Sequence, residues 1–224
     1  MKTHKSIKGI VTVLLGALLF TGQAFGQAKQ EEKIQKATSI LVAFEKMQES
    51  IPAQLLEESE GIIVIPGMIN AGLGVGGKRG KGVSMVKNAD GSWSDPVFVT
   101  MTGGSIGFQA GVQSIDLVLL FRSRETLLNI GKGTFTLGTG VSVAAGPVGR
   151  SASADTDYKL EAEVYSYSRT KGLFAGISLN GTAVEVDQQA NSAFYGKSVT
   201  ANTVFSGSSK PSDQSSVATL KQTL

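Results

Sequence analysis

A glycine-rich stretch followed by cations has the composition of a phosphate-binding loop. Residues 72–82 read GLGVGGKRGKG, which fits the dinucleotide pattern G-x-G-x-x-G and, through Lys78, most of the Walker pattern G-x-x-x-x-G-K. Such loops hold phosphates because the glycine turn opens a helix whose N-terminal amides face the ligand. Here the following residues, KGVSMVKNADGSWSDPVFV, read as strand, turn and strand, and Arg79 stands where a Ser or Thr would hold magnesium. The pattern therefore predicts neither nucleotide binding nor a bound cofactor.

Three glycines of this stretch alternate with apolar residues. Gly72, Gly74 and Gly76 would share one face of a strand, since side chains alternate between the two faces. A face without side chains lets another element or a ligand approach the backbone closely. Two interpretations follow, namely tight packing where a sheet bends and a surface that contacts a ligand.

Four basic residues lie within ten positions after these glycines. They are Lys78, Arg79, Lys81 and Lys87. An anionic headgroup could rest against them, at about 1 kcal/mol per basic residue near an anionic surface. Four such contributions correspond to roughly millimolar binding, so stable binding also needs a pocket, apolar insertion or multivalency. The alternative interpretation is a solvated hairpin tip.

Two serine patterns are similar to hydrolase motifs. Ser105 lies in G-G-S-I-G, which fits the nucleophile elbow G-x-S-x-G, and Ser168 with Lys171 forms S-x-x-K. The elbow serine needs a histidine base, and the only histidine, His4, lies in the N-terminal targeting segment described below. The S-x-x-K pattern should open a helix, whereas this one ends an alternating strand. We therefore predict no catalytic residues and no enzymatic activity.

Ligands for a metal ion are scarce in the chain. It has no cysteine and a single histidine, so only oxygen ligands suited to calcium or magnesium remain. Asp155 and Asp157 form a D-x-D pair, but no glycine and glutamate follow at the spacing of a calcium loop. We interpret this pair as a solvated turn and predict no metal site.

The N-terminus reads as a secretory signal peptide. Residues 1–8 carry three lysines, residues 9–20 are almost wholly apolar, and residues 24–26 place small side chains at the cleavage positions. The apolar run is shorter than the about 20 residues that span a membrane. We predict cleavage after residue 26 and an exported chain, periplasmic or secreted, that is able to lie peripherally on a membrane.

Removal of residues 1–26 changes the charge balance. Three of the 21 basic residues leave, so 18 basic residues remain against 18 acidic ones and the net charge is near zero. The formal charge of +3 therefore gives no support for nucleic-acid binding. Because a chain without cysteine has no disulfides, packing alone must stabilise residues 27–224, which we predict to form a single domain.

The first elements that must position these residues are helices. From Lys29 to Ser50 the apolar residues have the spacing of one helical face, and Pro52 suits the first turn of a second short helix that ends near Gly61. The polar face of the first helix mixes lysines with glutamates, whereas helices that lie on membranes usually have a basic face. We therefore predict that these amphipathic helices pack on the sheet of the domain itself.

After Gly61 the periodicity changes to that of short strands. The strands are separated by turn signals, of which Asn180-Gly181 is typical of a two-residue hairpin. The other turn signals lie at residues 88–91, 103–104 and 146–147. The predicted fold is α+β, with the N-terminal helices packed on a β-rich, mostly antiparallel twisted sheet that closes into a barrel or sandwich.

Short helices are expected between and after the strands. Ser123 can cap a helix that Gly131 stops, and a second helix is expected over residues 187–195. The tail from residue 206 to residue 224 is Ser-rich and is predicted to be loosely ordered, apart from one or two final helical turns.

Five stretches follow one another in an order typical of a known family. They are IPAQLLEESEGIIVIP, GLGVGGKRGKGVSMV, DGSWSDPVFVTMTGGSIGFQAGVQSIDLVLLF, GPVGRSASADTDYKLEAEVYSYSRTKGLFAGISLNG and NSAFYG, and with the preceding helix they cover nearly all of residues 34–207. In this order they resemble the SYLF domain family, in its bacterial exported type.

The resemblance implies a lipid-binding module. Eukaryotic members bind phosphoinositides or other anionic lipids, and some fungal members bind actin. For an exported chain it implies association with anionic phospholipid at the cell envelope, without nucleotide or nucleic acid. The alternative is a structural or protein-interaction domain of the envelope with no lipid ligand. The expected lipid contacts are Lys78, Arg79, Lys81, Lys87, Gly72, Gly74 and Gly76.

Overall fold

The fold is seen in a computed structural model that describes most of the chain. The described residues are 26–47, 51–133, 135–139, 141–146, 162–211 and 214–224. Of the predicted signal peptide only Gly26 is among them, and the D-x-D pair at Asp155 and Asp157 lies outside them. None of the helices in these ranges is both long enough and apolar enough to cross a membrane.

The N-terminal part forms the two predicted helices. Helix α1 spans residues 26–45, and the residues with the spacing of one face are buried. In the first half of α1 the Lys33 ammonium lies 5.7 Å from the centre of the Phe98 ring. Near the C-terminal end of α1 the Arg169 guanidinium lies 5.7 Å from the centre of the Phe44 ring. Helix α2, Ala53–Glu58, follows with Pro52 in the capping position. The buried face of α1 comprises Ile34, Ala37, Ile40, Leu41 and Phe44.

Two long strands form the centre of the sheet. Strand β1, Gly61–Val86, pairs antiparallel with β2, Val97–Phe121, from Gly61 opposite Phe121 to Ser84 opposite Val97. The sequence predicted several shorter strands with a turn at residues 103–104, which is wrong because Gly103 pairs with Lys78 inside this ladder. Glycines of β1 lie opposite glycines of β2 here, so the ladder can bend without losing its pairing.

The ribbon of β1 and β2 folds back on itself. A Cβ atom on Gly82 would overlap the carbonyl oxygen of Val64, and one on Gly80 would overlap the side chain of Ile65. The backbone N–H of Lys87 donates to the carbonyl oxygen of Glu60 at 2.8 Å. Both ends of the ladder therefore lie together, and the bend at residues 72–76 lies at the other end of the molecule.

Five shorter strands extend this ribbon into a mixed sheet. They are β3, Phe135–Leu137; β4, Val143–Ala145; β5, Val164–Thr170; β6, Leu173–Phe174; and β7, Thr182–Val186. The sheet order is β3-β7-β2-β5-β4, with β1 also paired to β2 and β6 to β5. Among the described pairs, β4 with β5 is parallel and the others are antiparallel. The result is a nearly closed barrel, which confirms the predicted fold class.

The turn at Asn180-Gly181 forms, but the hairpin predicted around it does not. The N–H of Thr182 donates to the carbonyl oxygen of Leu179 at 3.0 Å, as expected for a tight turn. Residues 175–179 are not a strand, and β7 pairs with β3 and β2 instead. The turn chemistry is local, whereas the partner of β7 is set by packing elsewhere in the sheet.

Four short helices complete the described chain. They are α3, Arg124–Leu128, continued by a 3₁₀ turn at Asn129–Lys132; α4, Gln188–Tyr195; α5, Ala201–Phe205; and α6, Gln214–Gln222. Gly131 lies within the 3₁₀ turn and does not stop the helix as predicted, and Ser123 makes no capping hydrogen bond with its side chain.

Helices α4 and α6 are held by specific contacts. The side-chain oxygen of Asn191 in α4 accepts from the Phe98 N–H at 2.9 Å, and its amide donates to the Phe98 carbonyl oxygen at 3.0 Å. In α6, Val217 and Leu220 are buried, and Lys221 forms an ion pair with Asp95 at 2.7 Å. More of the tail is therefore packed than the sequence predicted.

Candidate functional site

An open cleft lies where the sheet leaves a gap. On one side of β2, pairing with β7 ends at Thr102 and pairing with β5 begins at Asp116. Between these two residues no described strand pairs with that edge of β2. A cleft of about 1270 Å³ opens there, lined by the bend of β1, the middle of β2, the β5–β6 turn and the segment before β7. Residues of this part of β2, among them Val112 and Ser114, line the cleft.

The predicted glycines form one wall of this cleft. Gly72, Gly74 and Gly76 all line it. A Cβ on Gly72 would lie 2.8 Å from the Cα of Gly76, and one on Gly76 would overlap the carbonyl oxygen of Ala71. The two interpretations of these glycines are thus compatible, because the chain bends tightly here and the bend faces an open space.

Lys78 continues the glycine wall. Its side chain is 6% exposed, and its ammonium donates a hydrogen bond to the carbonyl oxygen of Ser178. Burial lowers the pKa of this ammonium from its usual value. Lys78 is therefore a fixed cation beside the cleft rather than a mobile surface charge.

The other three predicted cations do not line the cleft. Strand residues alternate between faces, so Arg79 and Lys81 point away from the face that carries Lys78. Arg79 is exposed, while the Lys81 ammonium pairs with Asp187 at 2.6 Å. Lys87 donates to the carbonyl oxygen of Glu57 at 2.6 Å and lies over the Trp93 ring.

The cations also do not form a hairpin tip. Lys78, Arg79 and Lys81 pair with Gly103, Thr102 and Thr100 within the β1–β2 ladder. The interpretation as a solvated hairpin tip was wrong, because it took residues 72–82 as a connection between two strands. The basic cluster of the sequence is therefore divided between two faces of one continuous strand.

A second group of charges reaches the cleft from β5. The Nε and NH2 atoms of Arg169 each lie 2.9 Å from Oδ2 of Asp116, and Oδ1 of Asp116 accepts from the N–H of Gly67 at 3.0 Å. Lys171 lies in the β5–β6 turn with φ 49 and is exposed. With Lys78, the charged lining comprises three cations and one carboxylate, so its net charge is 3 minus 1, or +2.

Sequence reasoning missed this second group. Arg169 and Asp116 lie 53 positions apart in the chain and meet only through the pairing of β2 with β5. Lys171 was considered only as part of an S-x-x-K pattern. The dipeptide Lys171-Gly172 at the end of an alternating strand was a turn signal, and a turn at that point is what presents the lysine to the cleft.

The serine patterns and the metal ligands considered from the sequence do not form a catalytic or metal site in the described ranges. The Ser168 hydroxyl is buried and donates to the carbonyl oxygen of Ala175. Ser105 pairs through its backbone with Gly76, and its side chain is outside the described part of the chain. Across the described ranges, no group of three or more acidic, histidine or cysteine side chains could hold a metal ion.

Comparison with known proteins gives a consistent family. The family model Ysc84, described as "Las17-binding protein actin regulator", matches residues 102–224, which is more than half of the chain. In Saccharomyces cerevisiae, LAS seventeen-binding protein 3 is 36% identical over 192 residues and Protein YSC84 is 37% identical over 188 residues. The SH3 domain-containing YSC84-like protein 1 of Bos taurus is 30% identical over 182 residues.

The aligned regions cover most of this chain but only part of each relative. The alignment with LAS seventeen-binding protein 3 includes 82% of this chain and 41% of that protein. The alignment with Protein YSC84 includes 80% of this chain and 40% of that protein. The alignment with the Bos taurus protein includes 81% of this chain and 53% of that protein. The chain therefore spans about half the length of these proteins, or less. Their printed names refer to binding or to domain content, and none of the three names an enzymatic activity.

The predicted location is corrected by these relatives. We expected an exported chain, periplasmic or secreted, from the basic and apolar N-terminus. This is wrong, because the matching proteins are from yeast and vertebrates and are named for binding LAS seventeen or for an SH3 domain. The resemblance to SYLF domains, in contrast, is confirmed over the part that the family model matches. The chain belongs to the Ysc84 family, which is the SYLF domain family.

Proposed function

We propose that the chain is a non-enzymatic module that binds anionic phospholipid headgroups in the cleft beside β2. The observation that carries the proposal is the net charge of +2 on the lining of a cleft of about 1270 Å³. Pockets for drug-sized ligands measure roughly 300–1,000 Å³, so a headgroup with part of its glycerol backbone fits. The lipid binding implied by the family resemblance agrees with this choice of ligand.

Each wall of the cleft has a defined part in binding. Lys78 supplies charge from β1 and Lys171 from the β5–β6 turn, and Arg169 is already neutralised by Asp116. The glycine wall allows phosphate oxygens to approach the backbone closely. Along the edge of β2 that no described strand pairs, backbone N–H groups are suitable donors for phosphate oxygens. Charge attracts the lipid, and the close fit of the backbone retains it.

Reversing the charge of Lys171 tests this site. Lys171 is exposed, so Lys171→Glu should leave the melting temperature unchanged. We expect it to weaken binding to vesicles that contain phosphatidylserine by about 2 kcal/mol, or roughly thirtyfold in Kd, since one attractive charge becomes repulsive. Co-flotation with vesicles over a range of lipid concentrations measures the change.

Lys197→Glu is the matched control. Lys197 is exposed and follows α4, whose Tyr195 hydroxyl donates to the Pro96 carbonyl oxygen at the end of the molecule away from the cleft. The two variants have the same net charge, so a general electrostatic attraction predicts equal losses. Equal losses in both variants, or none in either, would contradict the cleft as the binding site.

A protein partner is the second candidate, and the edge of β2 that no described strand pairs favours it. An extended peptide can add to an unpaired strand edge by forming backbone hydrogen bonds. Two yeast relatives are named as LAS seventeen-binding protein 3, and the family description also refers to Las17. If the chain does not co-float with anionic vesicles even at low salt, we expect purified Las17 to slow hydrogen exchange of residues 103–115.

A further inference from the structure

Large apolar side chains are exposed at one place in the described part of the molecule. The exposed fraction is 45% for Ile69, 80% for Leu73, 77% for Val75, 73% for Val112 and 72% for Leu173. We call these five residues the apolar rim. Val112 lines the cleft, and each of the other four is next in sequence to a residue that lines it. On β1 this alternation places Ile69, Leu73 and Val75 at the bend but on the face opposite to the glycine wall. Exposed apolar residues grouped in this way are typical of an interaction surface.

We propose that the apolar rim inserts into the hydrocarbon edge of a membrane and so holds the mouth of the cleft at the depth of the lipid phosphates. This inference rests on the proposed headgroup binding and adds how the module is oriented. The parts of the molecule that enter the lipid are the bend of β1 and the β5–β6 turn, and not the helices.

The arrangement of charge and apolar surface favours a bilayer as the occupant. Leu73 and Val75 flank Gly74 at the bend of β1, and Leu173 follows the turn that carries Lys171. Apolar side chains therefore lie beside cations at the same end of the molecule. Interfacial segments bury their apolar side about 5–10 Å into the boundary between headgroups and acyl chains, where anionic groups lie next to hydrocarbon.

A second copy of the chain fits this surface less well. Two copies meeting through their apolar rims would bring two clefts of net charge +2 together without a compensating anion. A stable interface also buries about 800 Å² per partner, whereas the apolar rim consists of five side chains distributed over β1, β2 and β6. Anionic lipid neutralises the cleft and covers the apolar side chains at once.

A fluorescent label at position 73 tests the insertion. The chain has no cysteine, so Leu73→Cys provides a single attachment point for an environment-sensitive dye. With vesicles of phosphatidylcholine and phosphatidylserine, we expect a blue shift of its emission and quenching by lipids spin-labelled in the acyl chain. Ala89→Cys is the control, because Ala89 is exposed in the turn between β1 and β2 at the opposite end of the molecule.

The outcomes separate this inference from the function on which it rests. If the labelled chain co-floats with vesicles but the dye at position 73 behaves like the dye at position 89, the rim does not insert, although headgroup binding stands. If the dye shifts with protein concentration in the absence of lipid, the rim is a contact between copies and insertion is wrong. If the unlabelled chain does not co-float at low salt, both proposals fail.

A polar substitution of near-equal shape gives an independent measurement. The double variant Leu73→Asn with Val75→Thr keeps side-chain volume at two exposed positions, so its melting temperature should equal that of the parent. We expect its vesicle affinity to fall about tenfold, which corresponds to losing the burial of about two methylene groups. An unchanged affinity would overturn the insertion.

Discussion

At the scale of single residues, the carboxylate of Asp187 joins three elements. Its Oδ1 accepts from the N–H of Ala190 at 3.0 Å and caps α4, and its Oδ2 lies 2.6 Å from the Lys81 ammonium on β1 and 3.4 Å from the Thr100 hydroxyl on β2. Burial raises the pKa of Asp187, but these hydrogen bonds and the charges of Lys81 and Lys33 outweigh it, so the net pKa is lowered.

The lowered pKa predicts how stability depends on pH. Because the carboxyl has a lower pKa in the folded chain than the about 3.9 of an unfolded one, it stabilises the fold above that value, and this contribution is lost as the pH falls through the folded pKa. We expect Asp187→Asn to lower the free energy of unfolding by about 1 kcal/mol at pH ~7, a modest figure because Lys81 is about half exposed.

Urea unfolding along an acid series measures this effect. Asn caps a helix about as well as Asp, so the substitution changes the charge and leaves the cap. The difference between parent and variant should shrink towards zero in strong acid, where the parent carboxyl is also protonated. A loss of stability that is the same at every pH would mean that the charge of Asp187 contributes nothing.

At the scale of elements, β1 depends on a close contact between its two halves. Gly82 lies where a Cβ would overlap the carbonyl oxygen of Val64, which is backbone and cannot rotate away. We expect Gly82→Ala to lower the free energy of unfolding by about 3 kcal/mol, since overpacking of this kind forces the backbone apart. Thermal or urea unfolding of the variant gives the value.

The matched control is another glycine of the same strand. A Cβ on Gly77 would have its nearest contact at 3.8 Å, from the carbonyl oxygen of Gly103, which is an ordinary distance. Gly77→Ala should therefore have little effect or stabilise the chain slightly, because alanine restricts the unfolded state. If both variants lose the same stability, strand propensity and not the contact at Gly82 explains the loss.

The elements also show what the sequence could and could not predict. The face of α1 with Ile34 and Phe44 and the short helix over residues 187–195 are local patterns, and both form as predicted. The continuity of β1 and β2 was missed, because glycines read locally as turns. Only the opposite strand, such as Gly104 facing Gly77, shows that they belong to a ladder.

The same limit applies to the cleft. Gly72 and Lys78 could be singled out because they belong to one stretch of sequence. Asp116 and Arg169 could not be placed beside them, since the pairing of β2 with β5 brings them there. Periodicity assigns residues to faces of an element, but it does not specify which elements are neighbours.

At the scale of the whole molecule, the C-terminal helix closes the end away from the cleft. Leu220 of α6 is fully buried, and its neighbour Lys221 pairs with Asp95 in the connection between β1 and β2. We expect Leu220→Ala to cost about 3 kcal/mol of stability, as for other large-to-small changes in a core. Vesicle binding at a temperature where the variant is folded should be unchanged, because the cleft lies at the other end.

Thr219→Ala is the control for this helix. Thr219 is exposed on α6, and its hydroxyl bonds only within the helix, to the carbonyl oxygen of Ser215 at 3.0 Å. Its removal should change the free energy of unfolding by less than about 0.5 kcal/mol. If Leu220→Ala changed the free energy of unfolding as little as Thr219→Ala, the packing of α6 would not contribute to the stability of the core.

The single ladder of β1 and β2 has a consequence for how the chain reaches its fold. Each pair of residues between β1 and β2 closes a loop of chain. The pairs next to the connection at residues 87–96 close the shortest loops, and the pair Gly61 opposite Phe121 closes the longest. Pairing is therefore cheapest in chain entropy next to the turn, and each further pair closes a loop only slightly larger than the last. The ladder can thus form pair by pair, beginning next to the turn that contains Asp90 and Gly91. A slip of one residue at that start would exchange the faces of the residues that follow, so this turn determines the alignment of the ribbon as far as the register shift between Gly72 and Gly74.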